Sequence, residues 1–122
     1  MASLKEQEKL MIALRDKLRK FVAERDWDQF HSPKNLAMAL SVEAAELVEH
    51  FQWLTEAESK NLPPEKLAHV RDEMADVLVY LVRLADKLDV DLLAAVEVKM
   101  GKNALKYPAD KVRGSMKKYS EY

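Results

Sequence analysis

Residues 65–88 read EKLAHVRDEMADVLVYLVRLADKL, and the apolar positions Leu67, Val70, Met74, Val77, Leu78, Leu81, Leu84 and Leu88 recur at three- and four-residue steps. That period belongs to a helix of 3.6 residues per turn and not to the two-residue alternation of a strand. The stripe is the strongest in the chain, so it predicts a central amphipathic helix that the rest of the fold packs around. Upstream, Leu4, Met11, Leu14, Leu18 and Phe21 give a first amphipathic helix within residues 1–25. Asp26 to Ser32 (DWDQFHS) breaks that pattern and reads as a loop carrying Trp27, Phe30 and His31. Ser32-Pro33 is a strong helix start, because serine caps and proline tolerates the first turn. The stripe Leu36, Leu40, Leu47, Val48, Phe51 and Leu54 then predicts a second helix over 33–54.

Thr55 to Pro64 is polar and ends in two prolines, the signature of a connecting loop. After the central helix, Asp89-Val90-Asp91 offers a cap, and residues 92–106 read as a fourth helix stopped by Tyr107-Pro108. The tail 109–122 is polar and basic, with Arg113, Lys117 and Lys118, and reads as irregular. Four helices on short connections imply an all-α, antiparallel four-helix bundle occupying residues 1–122 as a single domain. A bundle this small is expected to complete its core as a homo-oligomer.

The totals agree. Only two glycines accompany 34% charged and 48% hydrophobic residues, a balance suited to amphipathic helices. A formal net charge of −1 lacks the basic footprint that a nucleic-acid polymer demands, so no such partner is expected. No apolar run approaches the roughly 20 residues that cross a bilayer, and residues 1–9 lack the apolar stretch of a secretory signal. No membrane partner is expected, and the reading is cytoplasmic. Without cysteine, any metal must take oxygen or imidazole ligands, which favours Mg²⁺, with Mn²⁺ as a second choice.

Glu43-x-x-Glu46 falls in the second helix and Glu73-x-x-Asp76 in the third, and residues three apart share a helical face. Spacing alone carries little: 21 acids in 122 residues give roughly three or four such pairs by chance, and four occur. Context carries more. Glu73 and Asp76 border the core-facing stripe, while Glu43 and Glu46 are embedded among Ala44, Ala45, Leu47 and Val48. Facing carboxylates near a core repel and are costly to desolvate unless protons, cations or a metal compensate. Two such pairs make a cage for Mg²⁺; the other reading is that they pair with lysine and arginine on solvated faces. Tyr80, seven residues from Glu73, lies on nearly the same face. Lys99 and Asn103, one turn apart, could offer a cation and an amide to phosphate or sugar oxygens. Trp27, Phe30, His31, Phe51 and Trp53 gather planar rings at the two ends of the second helix, where they could stack on a base or plug the core.

Five ordered blocks carry a resemblance: ERDWDQFHSPKNL (24–36), VEAAELVEHFQW (42–53), DEMADVLVYLVRLA (72–85), VKMGKNALKYP (98–108) and RGSMKKY (113–119). Together they resemble the MazG-like all-α nucleotide pyrophosphohydrolases, within them the dCTP pyrophosphatase branch, over nearly the whole chain. The resemblance implies a dimer or tetramer with Mg²⁺ held by Glu43, Glu46, Glu73 and Asp76. It implies that Lys99 and Asn103 touch a nucleoside triphosphate and that Trp27, His31, Trp53 and Tyr80 shape the base and sugar pocket. Many members open the first acidic motif with two successive glutamates; here Val42 precedes Glu43, leaving one carboxylate fewer for a base or second ion.

The implied reaction is hydrolysis of a (deoxy)nucleoside triphosphate, dCTP or a modified dCTP first, to monophosphate and pyrophosphate. Glu46 is expected to orient the water, with Glu49, one turn on, as an outer base. Two other classes fit parts of the pattern. A non-catalytic nucleotide-binding or oligomerisation module would need the helices and not the acids. A carboxylate-bridged di-iron bundle would need inward Glu-x-x-His pairs, and none occurs, since His50 and His69 fall four residues after Glu46 and Glu65.

Overall fold

The computed structural model describes residues 3–116, and within them the chain is all-α. α1 spans Leu4–Glu24, α2 Pro33–Glu49, α3 Glu56–Ser59, α4 Pro64–Lys87, α5 Leu92–Lys106 and α6 Ala109–Val112, with a 3-10 turn at Asp28–Phe30. The chain divides into two compact units, one ending at Asp89 and one beginning at Val90.

Local chemistry explains each boundary in the first unit. The Ser3 hydroxyl accepts from the Glu6 amide while the Glu6 carboxylate accepts from the Ser3 amide, a reciprocal cap that starts α1. Asp26, in the left-handed conformation at φ 54°, turns the chain away at the other end. Ser32 caps α2 by accepting from the Asn35 amide, with Pro33 in the first turn, as the Ser-Pro pair predicts. α2 ends at Glu49 instead of Leu54. Thr55 is itself an extended N-cap that exchanges hydrogen bonds with Glu58, and the residues before it close in turns such as Leu54 N–H to Phe51 C=O. Thr55-x-x-Glu58 is thus a capping box, and the expected loop contains the one-turn helix α3. Pro63-Pro64 opens α4, and Asp89, left-handed at φ 55°, closes it.

α4 is the hub of this unit: α2 packs along it and α1 lies against it. His50 of α2's C-cap stacks on His69 while Glu43 neighbours Asp76, so residue numbers run in opposite senses and the two helices are antiparallel. Val22, Leu36, Val70, Val82 and Ala85 are the buried apolar residues, Leu36 only 1% exposed. The α4 stripe divides differently from the sequence expectation. Val70 is buried and Val77 and Leu84 are half-buried, whereas Leu67, Met74, Leu78, Leu81 and Leu88 are exposed. One covered stripe runs Val70, Glu73, Val77, Tyr80 and Leu84, with Val82, Arg83 and Ala85 buried near its end, so a half-buried glutamate lies in line with the core while a row of leucines does not.

In the second unit, Asp91 caps α5 by accepting from the Ala94 amide, and Pro108 starts α6 where an irregular tail was expected. Gly114 takes φ 75°, a conformation that favours glycine, just after α6. Lys117 and Lys118 lie outside the described residues.

Leu36→Ala removes the best-buried side chain and leaves a cavity between α2 and α4. It is expected to lower unfolding free energy by about 2–5 kcal/mol, read as a lower midpoint in urea denaturation.

Candidate metal and nucleotide site

The antiparallel pairing of α2 with α4 decides where the acids go. Glu43 on α2 and Glu73 and Asp76 on α4 each place a ligating atom within 4.8 Å of the other two. Glu46, one turn after Glu43, is half-buried beside it and adds to its negative surroundings. The carboxylate atoms Oε2 of Glu43 and Oε2 of Glu73 are buried without a hydrogen-bond partner. A buried carboxylate oxygen with no donor normally costs more than the fold can spare. Hard oxygen donors converging from two helices, with two lone-pair positions unsatisfied, fit a hard divalent cation of the Mg²⁺ or Mn²⁺ type.

The electrostatics point the same way. Burial, then a hydrogen bond of the protonated carboxyl to Glu46, repulsion from Glu46 and Asp76, and a hydrogen bond to Glu73 push the Glu43 carboxyl up to about 7 from its ordinary 4.5. A proton can relieve this crowding at low pH; above neutrality a bound cation would. Glu73 has one neighbour capable of positive charge, His50, whose Nε2 is 3.8 Å from Glu73 Oε1. His50 stacks on His69 with centroids 6.0 Å apart and planes within 5°. Sequence reading left these histidines unassigned, and no spacing rule would find them, since 19 residues separate them and only the helix pairing joins them.

The remaining expected site residues are spread over several elements. Glu49 is exposed on the last turn of α2. Trp27, 45% exposed, sets its ring edge-on to Phe21 at 5.9 Å, and the Arg25 guanidinium covers the Phe21 ring at 3.6 Å. His31 is half-buried and accepts a hydrogen bond from Arg83 of α4. Tyr80 is half-buried two turns beyond Glu73, and Trp53 stands 86% exposed in the turn after α2. Lys99 and Asn103 are exposed on α5, in the second unit.

The sequence profile of the MazG-like family matches residues 38–122. The chain belongs to the MazG-like family. This MazG-like chain is 48% identical over 103 residues to dCTP pyrophosphatase 1 of Homo sapiens, and equally to that of Mus musculus. Each match covers 83% of this chain and 61% of the relative, so the chain spans about three-fifths of the length of these curated proteins. A crystal structure of a pyrophosphatase from Archaeoglobus fulgidus superposes with a TM-score of 0.76 at 43% identity, covering 80% of this chain and 92% of that one. The MazG-like fold read from the five sequence blocks is therefore the fold observed, and the acid cluster lies inside the matched region.

The raised Glu43 carboxyl has a defined effect on stability. At low pH both folded and unfolded chains hold its proton. As pH rises from 4.5 to about 7 the unfolded chain releases it while the folded chain keeps it, so this group lowers stability across that window and the loss is complete above it. In chelator, Glu43→Gln is expected to melt higher than the wild type above about pH 7 and to lose that advantage toward about pH 4.5. Mg²⁺ is expected to raise the wild-type melting temperature increasingly from about pH 6 to about pH 8, and to raise that of the variant little, by differential scanning fluorimetry.

Proposed function

We propose that this protein is a Mg²⁺-dependent nucleotide pyrophosphohydrolase that cleaves a nucleoside triphosphate, dCTP or a modified dCTP first, to the monophosphate and pyrophosphate. The observation that carries the reading is the meeting of Glu43, Glu73 and Asp76 with two buried, unpartnered carboxylate oxygens. Those three, with Glu46 beside them, would hold the ion. When bound, it would supply charge neutralisation on the phosphate chain and an acidified water. Mn²⁺ is the expected substitute.

The chain's own residues supply positioning. Glu46 orients the attacking water, whose oxygen bonds to the α-phosphorus as the bond from that phosphorus to the bridging oxygen breaks. Pyrophosphate departs with that oxygen, and the water's proton passes to a carboxylate, Glu46 or through solvent Glu49. Lys99 and Asn103 are proposed to touch the nucleotide as a cation and an amide. Trp27, His31, Trp53 and Tyr80 are proposed to shape the base and sugar pocket, the indoles offering flat faces for stacking. The similarity to dCTP pyrophosphatase 1 supports this choice of reaction and base. Among the described residues no helix is long and apolar enough to cross a membrane, in keeping with a cytoplasmic enzyme acting on free nucleotides.

Pyrophosphate release from a panel of nucleoside triphosphates with Mg²⁺ is expected to be fastest for dCTP or its 5-substituted forms. Glu46→Gln is expected to lower turnover at least about a hundredfold with an unchanged circular dichroism spectrum. Nucleotide binding without pyrophosphate release would instead favour a non-catalytic module.

The exposed row Leu67, Met74, Leu78 and Leu81 on α4 supports assembly as a homodimer or homotetramer, since contiguous apolar side chains on a soluble helix are ordinarily covered. Leu78→Asp is expected to shift the species seen by light scattering toward the monomer while leaving helix content unchanged.

A further inference from the structure

Arg83 stands out because it is 3% exposed, in the middle of the apolar run Val82-Arg83-Leu84-Ala85. A permanently charged guanidinium buried this deeply needs partners for its fork of donors, and replacing such groups by apolar residues is often neutral or stabilising. A guanidinium placed here directs attention to what its donors hold.

Its partners suggest a role. One terminal nitrogen donates to Asp86 Oδ2 at 3.3 Å and the other to Asp28 Oδ1 at 3.0 Å. The remaining donor, Nε–H, points at His31 Nδ1 at 3.3 Å. Both carboxylates are tied down in turn: Asp28 by Lys87, and Asp86 by a two-pronged contact from Arg19 of α1. Arg83 thus cannot swivel without breaking contacts to the 3-10 turn and to its own helix, where Asp86 is in turn held by α1.

Arginine has no acceptor and does not lose its proton, so a contact between its Nε–H and an imidazole nitrogen requires that nitrogen to carry a lone pair. His31 Nδ1 is therefore bare, and the neutral ring must carry its hydrogen on Nε2. That atom has no partner among the described residues and is not one of the buried unpartnered atoms, so it keeps some contact with solvent. We infer that Arg83 is a positioning residue that locks His31 as the neutral Nε2–H tautomer, making the ring a hydrogen-bond donor to an acceptor oxygen of the bound nucleotide. The donor role rests on the pocket reading of His31 given above; the lock does not.

The surroundings favour the same protonation state. Burial first, then the charge of Arg83, holds the imidazole below its ordinary pKa, with Asp28 opposing. Arg15, Arg19, Arg83 and Lys87 outnumber Asp16, Asp28 and Asp86 by one positive charge, so a second ring proton would add charge to a cluster already net cationic.

Two measurements test this. Long-range ¹H–¹⁵N correlation spectra of histidine-labelled protein at pH 7, without nucleotide, are expected to show His31 with hydrogen on Nε2 and a bare Nδ1. Arg83→Met, and Arg83→Lys if the first variant fails to fold, is expected to show mixed or protonated states. A wild-type ring protonated at Nδ1, or a variant keeping the single tautomer, overturns the lock. The second measurement is a KM series with dCTP and Mg²⁺. His31→Gln can place an amide N–H where Nε2 lies and His31→Asn cannot reach it. The glutamine variant is expected within about threefold of wild-type KM and the asparagine variant about tenfold or more above it, with kcat moving less, the loss of one neutral hydrogen bond. Equal KM for the two variants overturns the donor role. Competition by tripolyphosphate places the acceptor: a weakened inhibition in His31→Asn puts it on the phosphate chain, an unchanged one on sugar or base. Absence of pyrophosphate release from wild-type protein would overturn the hydrolase reading and with it the donor role, while the spectra still decide the lock.

Discussion

Mutual repulsion among carboxylates is the constraint on which the rest of this molecule turns. Three acids from two helices share a space of a few ångströms, two of their oxygens lack any donor, and one carboxyl is driven up to about 7. Packing α2 against α4 forces this contact, because Leu36 and Val70 cannot be covered unless the intervening faces also meet. Hydrophobic burial thus supplies the free energy that holds the acids together, and the acids return a standing demand for positive charge. A divalent cation is the kind of group that would meet such a demand.

The helical class, the Ser32-Pro33 start, the Asp91 cap and the stop before Pro108 were legible in the sequence because each is a local event decided by a few neighbouring residues. The Thr55-x-x-Glu58 box is equally local but sits inside a segment dominated by its two prolines, and the apolar stripe runs on through Phe51 and Leu54, so neither the end of α2 at Glu49 nor the single turn of α3 stands out in the sequence. The division of the α4 stripe was not legible. Period 3.6 shows that a helix has an apolar side; it does not show how much of that side one chain can cover, and here Glu73 takes a covered position while Leu78 stays exposed. Glu43, Glu73 and Asp76 could be nominated because they flank apolar positions at helical spacing. Their meeting needed the antiparallel pairing, and so did the His50–His69 stack.

Arg83 shows a further limit. A lone arginine in an apolar run reads as an interruption, and its three acceptors lie 3, 52 and 55 residues away. Only the folded chain shows that one planar group joins the turn before α2 to α4, with α1 tied in through Asp86. The two polar centres of this unit consequently follow opposite rules. Around Arg83 every buried charge is answered by another side chain, whereas around Glu43 two carboxylate oxygens have no donor among the described residues.

The two tryptophans sit beyond opposite ends of α2, one before its cap and one after its last turn, and the helix between them is about 25 Å long. Trp27 leans on Phe21, while Trp53 is almost wholly in water. Their emission and their access to a collisional quencher therefore differ without any label. Each end of the helix carries its own optical signal, and whatever shields the Trp53 end is distinguishable from whatever disturbs the Trp27 end in a single cuvette.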